Sequence, residues 1–246
     1  MSEPILSARD LHISFGGVKA ADGVSLDVAR DELVAIIGPN GSGKTTFLNL
    51  CTGYLPASRG SVLFEGSTIN GLSPRAITRR GIARAFQIPQ LFTTHSLVEN
   101  VMLAVAARSG MRGGLGSLTS YRSEAQTILD LVSLGDMAEV SAAALPGGMS
   151  KLADIALALA LRPRLLLLDE PTSGVSAGEK FAVMETIVDV LRRERVTALF
   201  VEHDMEVVER YADRVLVWDA GRVVAEGDPH TILSSPDVIE RVIGVA

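Results

Sequence analysis

The chain has 246 residues, 47% of them apolar, which is enough to bury a sizeable core in one or two compact units. Acidic residues outnumber basic ones 29 to 23, for a net charge of −6, and the basic residues are scattered, so a nucleic-acid partner is not expected. No stretch approaches the ~18 consecutive apolar residues of a membrane span. Met1-Ser2-Glu3-Pro4 lacks the layout of a secretion signal, and the one cysteine, Cys51, suits a reducing compartment, so the protein is expected to stay where it is made.

Ile5 to Ser14 is predicted to be a strand, Phe15-Gly16-Gly17 a turn, and Val24 to Val28 a second strand, together a hairpin. An aromatic at that turn, Phe15, offers a flat face to an adenine ring; a plain core aromatic is the alternative. The apolar run Leu33 to Ile37 then enters Gly38-Pro39-Asn40-Gly41-Ser42-Gly43-Lys44-Thr45-Thr46 and a helix through Leu50. Strand, glycine loop and helix are the context in which G-x-x-x-x-G-K-[ST] cradles phosphates on inward-facing N–H groups. The expected guest is a nucleoside triphosphate, with Lys44 reaching its outer phosphates and the Thr45 hydroxyl in a Mg²⁺ shell. Cys51, on this helix, is expected to be a small buried side chain.

Ser61 to Gly66 is predicted as a strand, Ser73 to Arg80 as a short helix, and Ile82 to Gln87 as a strand whose terminal carboxamide could ligate Mg²⁺ and orient a water. For Gln87 a solvent-facing loop residue is the alternative. Residues 88–162 differ in kind. Ile88 to Ser96 is irregular yet apolar, Ser96-Leu97-Val98-Glu99 is a capping box opening a helix to about Ala107, and glycine-rich Arg108 to Ser120 is expected to be a mobile connection. Tyr121 to Leu134 and Lys151 to Leu161 are helical in character, so this region reads as a helical insertion. His95 has no other ligand type nearby and is expected to be structural.

Leu165 to Leu168 is a fully apolar strand ending in Asp169-Glu170, as buried parallel strands do, with the carboxylates where α/β ligand sites lie. Asp169 is expected to hold Mg²⁺ and Glu170 to act as general base. Ser176 to Glu179 reads as a second capping box opening a helix to about Arg193. Ala198 to Glu202 is another strand, and His203 follows it, placed to contact a γ-phosphate. Arg214 to Glu226 reads as a hairpin turning at Asp219-Ala220-Gly221, and two short helices close the chain near Ile243.

The ordered set of Phe15, GPNGSGKT, Gln87, Leu145-Pro146-Gly147-Gly148-Met149, LLLLDEPTSG from Leu165 to Gly174, and His203 resembles the ATPase subunit of an ATP-binding cassette (ABC) transporter over essentially the whole chain. Within that family, FGGVKAADGVSL, ARAFQIPQLFTTHSLVENV and PDVIERVIG resemble the importers for branched-chain amino acids and their urea and amide relatives. The resemblance implies an α/β P-loop NTPase fold of ABC ATPase type: a RecA-like core with an N-terminal antiparallel β-subdomain (1–87 and 163–246) and a helical subdomain (88–162). It implies an ATPase that powers uptake through two transmembrane permease subunits, with an extracytoplasmic solute-binding protein, from the cytoplasmic face of the membrane. A soluble ATP-dependent clamp that transports nothing is the alternative.

In that family two ATPase subunits close around two ATP molecules, the phosphate loop coming from one and the signature from the other, and motion passes to the membrane through the loop after Gln87. Two departures stand out. Pro146 and Met149 replace the serine and glutamine of the usual Leu-Ser-Gly-Gly-Gln, and Pro146 has neither hydroxyl nor N–H to offer a phosphate. Such a loss weakens a site by roughly 1.5 to 3 kcal/mol. Ser176 stands where many relatives have aspartate, and is expected to keep the helix-capping duty. A heterodimer with a second ABC ATPase is therefore expected ahead of a homodimer.

Overall fold

A computed structural model of the chain describes residues 3–110 and 115–243. The N-terminal hairpin pairs β1 (Leu6–Phe15) with β2 (Val18–Val28). With β4 (Arg59–Phe64) and β5 (Ser67–Thr68) it forms a four-stranded antiparallel sheet in the order β2-β1-β4-β5. The second sheet has the order β10-β9-β3-β8-β7-β6. Its strands are β3 (Leu33–Ile37), β6 (Ile82–Ala85), β7 (Leu165–Asp169), β8 (Thr197–Val201), β9 (Arg214–Asp219) and β10 (Arg222–Gly227). All pairings are parallel except β9 with β10. Every residue of β3, β7 and β8 is buried, which is why these strands are continuous apolar runs without alternation. The β9–β10 turn places both Ala220 (φ 45°) and Gly221 (φ 78°) in the left-handed region, the geometry a two-residue hairpin loop needs.

The two faces of the larger sheet feed two apolar clusters. One joins alternate residues of β3, β7 and β8 (Val34, Ile36, Leu165, Leu167, Leu199, Val201) to the smaller sheet and to Phe47 and Leu48 of α1 (Lys44–Cys51). The other joins the opposite alternation (Leu33, Ala35, Ile37, Leu166, Leu168, Phe200) to α3 (Leu97–Arg108), α4 (Leu115–Leu131), α5 (Gly147–Ala160) and α6 (Lys180–Arg193). The period of two along each strand thus sends neighbouring side chains into different clusters. The helices between β6 and β7 share a core with the sheet and do not stand apart from it.

The capping box at α3 forms as read: Glu99 N–H donates to Ser96 Oγ and Ser96 N–H to Glu99 Oε2. Ser73 caps α2 (Pro74–Arg79) by its side chain alone, accepting the Ala76 N–H. Three expectations are corrected. The glycine-rich connection ends earlier than read, because α4 begins at Leu115; residues 111–114 lie outside the described residues. Helix α5 begins at Gly147 and not at Lys151, so the Gly147-Gly148-Met149 segment is its first turn. Ser176 does not cap α6: its hydroxyl donates to Glu179 Oε2 at 2.6 Å, and Glu179, at the N-cap in helical conformation, makes no side-chain cap. The helix starts at Lys180, three residues later than the box requires, which leaves Ser176 outside the N-cap position.

Helix α7 (Met205–Tyr211) was not expected. Asp204 caps it, its Oδ1 accepting the N–H groups of Glu206 and Val207. The chain then continues into α8 (Pro229–Leu233) and α9 (Pro236–Ile243).

Candidate active site

Sheet order explains how residues far apart in sequence come together. Strands β3, β8, β7 and β6 are successive neighbours, so the segments leaving their carboxyl ends carry Lys44, His203, Glu170 and Gln87 in one row. The carboxyl edge of a parallel sheet is where such folds bind ligands.

The phosphate loop is shaped by backbone approach that excludes side chains. A Cβ on Gly43 (φ 110°) would lie 2.0 Å from the Ala20 carbonyl oxygen, so β2 runs directly against the loop. Beneath it Trp218 packs at a tilt against Phe47 with ring centres 5.0 Å apart. Lys44 is buried and its Nζ donates to the carbonyls of Gly38 and Pro39 at 2.8 Å. Burial holds its ammonium below the ordinary lysine range, while the charges of Glu170 and Asp169 oppose that shift. Asn40, Gly41, Gly43, Lys44, Thr45, Thr46, Glu170 and His203 line a cleft of about 150 Å³. The Ser42 hydroxyl is buried and without a hydrogen-bond partner. An uncompensated buried hydroxyl in a glycine loop, beside an enclosed ammonium, fits a phosphate.

Glu170 sits at the centre. Its backbone lies in the left-handed region (φ 51°), a conformation that non-glycine residues hold only where the surroundings impose it. Gln87 Nε2 donates to Glu170 Oε2 at 2.6 Å, and His203 Nε2 lies 3.2 Å from Oε1. Of the three residues expected to handle the attacking water, Gln87 and His203 therefore both meet the Glu170 carboxylate. Glu202, buried, accepts the Thr172 N–H and hydroxyl and the His203 N–H, fixing the segments on either side.

Asp169 is buried with Arg84: the guanidinium Nη2 lies 2.6 Å from Oδ2, with both side chains less than a tenth exposed. Arg84 also donates to Asn49 Oδ1 and lies over the Phe86 ring. The Thr45 hydroxyl is 3.5 Å from Asp169 Oδ1. One hydroxyl and one carboxylate beside a phosphate cradle suit Mg²⁺, which usually takes one or two protein oxygens and leaves the rest to phosphate and water. Among the described residues there is no group of three or more His, Cys, Asp or Glu side chains that could hold a metal by itself.

Phe15 is half exposed at the end of β1, beside the turn into β2. Pro146 is the N-cap residue of α5, and no side chain caps that helix, so the N–H groups of its first turn point outward as donors. A Cβ on Gly147 would lie 2.9 Å from the Gly174 carbonyl oxygen, so the signature turn rests on the loop that follows Glu170. Leu145 packs on the core, Gly148 is buried and Met149 is partly exposed. His95 is exposed and its Nδ1 meets the Thr94 hydroxyl. Sequence reasoning missed Arg84, Lys151 and Asp154, although charged residues inside apolar runs were a visible signal.

The sequence profile of the ABC transporter family matches residues 21–173. The chain belongs to that family. The cassette is 36% identical, over the full length of both chains, to the high-affinity branched-chain amino acid transport ATP-binding protein BraF of Pseudomonas aeruginosa. Among solved structures it resembles the ADP conformation of MJ1267, an ATP-binding cassette of an ABC transporter (TM-score 0.85, 32% identity, 99% and 100% of the two chains covered). It also resembles the dimeric post-hydrolysis state of the cassette MJ0796 bound to ADP and Pi (TM-score 0.79, 25% identity, 91% and 98% covered). The cassette is thus an ABC ATPase of P-loop α/β fold, with the two sheets and the helical layer described above.

Proposed function

We propose that the cassette binds and hydrolyses ATP to power uptake of a branched-chain amino acid or a small polar relative through two membrane permeases. The juxtaposition of Lys44, Glu170, Gln87 and His203 along one sheet edge carries this reading. Full-length likeness to a transport ATP-binding protein favours the importer over the soluble clamp. In this reading the loop N–H groups and Lys44 bind the phosphates and Phe15 stacks on adenine. Glu170, oriented by Gln87 and His203, takes a proton from the attacking water. Thr45 and Asp169, with Gln87, would hold Mg²⁺, which neutralises phosphate charge when bound.

A second cassette completes each site with its signature turn, as the likeness to a dimeric cassette supports. The helix N-terminus at Gly147 still offers backbone donors, but Pro146 and Met149 supply no hydroxyl or carboxamide, which favours a heterodimer with one weaker site. Mutating Glu170, then the matching glutamate of the partner, tests this; equal losses of hydrolysis count against asymmetry.

The docking face proposed for the permease adjoins Gln87. Ile88 and Phe92 are exposed, as is Leu103 on α3. Leu103 also lines a groove of about 610 Å³ with Arg75, Arg79, Arg80, Arg108, Arg162 and Arg164, of which Arg108 and Arg162 pair with Glu124 and Arg164 with Glu65. In a chain of net charge −6, Arg75, Arg79 and Arg80 would carry the attraction to an acidic cytoplasmic segment of a permease. Co-purification from detergent-solubilised membranes, followed by ATPase assay of wild type and Lys44→Ala with and without a loaded solute-binding protein, tests the whole reading. Hydrolysis that persists in Lys44→Ala overturns it.

A further inference from the structure

Helix α5 begins at the signature turn and, one turn later, sends two charged side chains back into its own subunit's catalytic edge. Lys151 is buried; its Nζ donates to the carbonyl of Gln87 at 2.5 Å and to the carbonyl of Glu170 at 3.1 Å. Three positions on, Asp154 is buried as well, and its carboxylate accepts the N–H of Phe86 at 2.9 Å and of Gln90 at 3.1 Å. The two side chains therefore clasp the loop after β6 on both sides of Gln87, and one of them also grips the residue with the left-handed backbone.

The contacts close a ring. Lys151 joins the main chains of Gln87 and Glu170, and the Gln87 carboxamide joins the Glu170 carboxylate at 2.6 Å. Burying an ammonium and a carboxylate costs free energy that a helix facing only a core would avoid with apolar residues. Burial accordingly pulls the Lys151 ammonium down, while neighbouring carboxylates oppose the shift; burial pushes the Asp154 carboxyl up, against its two backbone hydrogen bonds and Lys151. Neither side chain faces the cleft that takes the phosphates.

We propose that Lys151, seated by Asp154, is a positioning residue for ATP hydrolysis: it locks the Gln87–Glu170 pair into register and ties that register to the signature turn on the same helix. A displacement of Gly147 to Met149, where the partner's nucleotide would be gripped, then moves Lys151 and with it the general base of this subunit. The inference rests on the proposed ATPase activity.

The test uses the assembled transporter carrying Lys151→Met, Lys151→Arg or Asp154→Asn, each also combined with Glu170→Gln. Misplacing a general base by about an ångström costs up to roughly a hundredfold in rate, whereas phosphate binding by the loop is untouched. The expected result for Lys151→Met is a fall in kcat of about tenfold or more, with KM for ATP within about twofold of wild type. Lys151→Arg should recover most of the rate, and Lys151→Met should cost nothing further in the Glu170→Gln background, because the lysine acts through that carboxylate. A normal kcat in Lys151→Met, a matching rise in KM, or a full additive loss on top of Glu170→Gln overturns the proposal. If Lys151→Met does not assemble, Lys151→Arg and Asp154→Asn decide by the same split: wild-type kcat in Asp154→Asn overturns it. Wild-type hydrolysis that ignores Lys44→Ala instead removes the ATPase reading itself.

Discussion

Replacing Arg84 by methionine should unfold the cassette far more readily than its size suggests. The guanidinium lies 2.6 Å from Asp169 with both side chains almost fully enclosed, and it also holds the Asn49 carboxamide and covers the Phe86 ring. Methionine fills the space but leaves Asp169 as an unpaired buried carboxylate, and breaking a buried pair in this way costs about 3–5 kcal/mol. For a chain of this length each kcal/mol shifts Tm by roughly 2–4 °C, so a loss of about 6–20 °C is expected. Thermal unfolding of the purified cassette in nucleotide-free buffer checks it. Magnesium with ATP should restore part of the loss, because a cation beside Thr45 gives Asp169 a new partner. A Tm within about 2 °C of wild type would refute the argument that this arginine neutralises Asp169.

Three further outcomes follow from other parts of the fold. Cys51 is fully buried and burial pushes its thiol up, so a thiol reagent should leave the native chain unlabelled and react after denaturation; labelling at the native rate of a free thiol would contradict it. The Ser96 backbone and hydroxyl hydrogen bonds hold the Glu99 carboxyl below its ordinary range, so the capping box persists at neutral pH and opens as pH falls through that lowered value. A carbon-detected NMR titration should show Glu99 returning toward the usual range in Ser96→Ala. Gly43→Ala places a Cβ 2.0 Å from the Ala20 carbonyl in a left-handed backbone, and equilibrium ATP binding should be lost while Gly41→Ala, whose Cβ meets nothing within 4 Å, loses less.

Strands and phosphate loop were legible because their chemistry is local. Leu33 to Ile37 and Leu165 to Leu168 have no polar positions, which only a strand covered on both faces permits, and the loop announces itself by glycine spacing. What escaped were decisions made by tertiary partners. Whether Ser176 caps a helix depended on where α6 begins, which is Lys180 and not Ala177, and α7 is too short and too polar for its periodicity to show. The helical start at Gly147 was hidden by two glycines that intrinsically disfavour helix, and a Cβ there would crowd the Gly174 carbonyl and the side chain of Val183. Arg84 could be read only as a strand residue until β6 was seen beside β7, which brings it to Asp169.

The strand that leads into the phosphate loop takes both of its sheet neighbours, β8 and β9, from the last quarter of the chain. During synthesis Leu33 to Ile37 must therefore wait, apolar and unpaired along both edges until Thr197–Val201 has left the ribosome, and along one edge until residues beyond Arg214 have. Premature termination anywhere before that point releases a polypeptide with a naked hydrophobic ribbon, a ready target for chaperones or for aggregation. Expression of this cassette should accordingly be limited less by the stability of the finished molecule than by how long its nascent form is left unguarded.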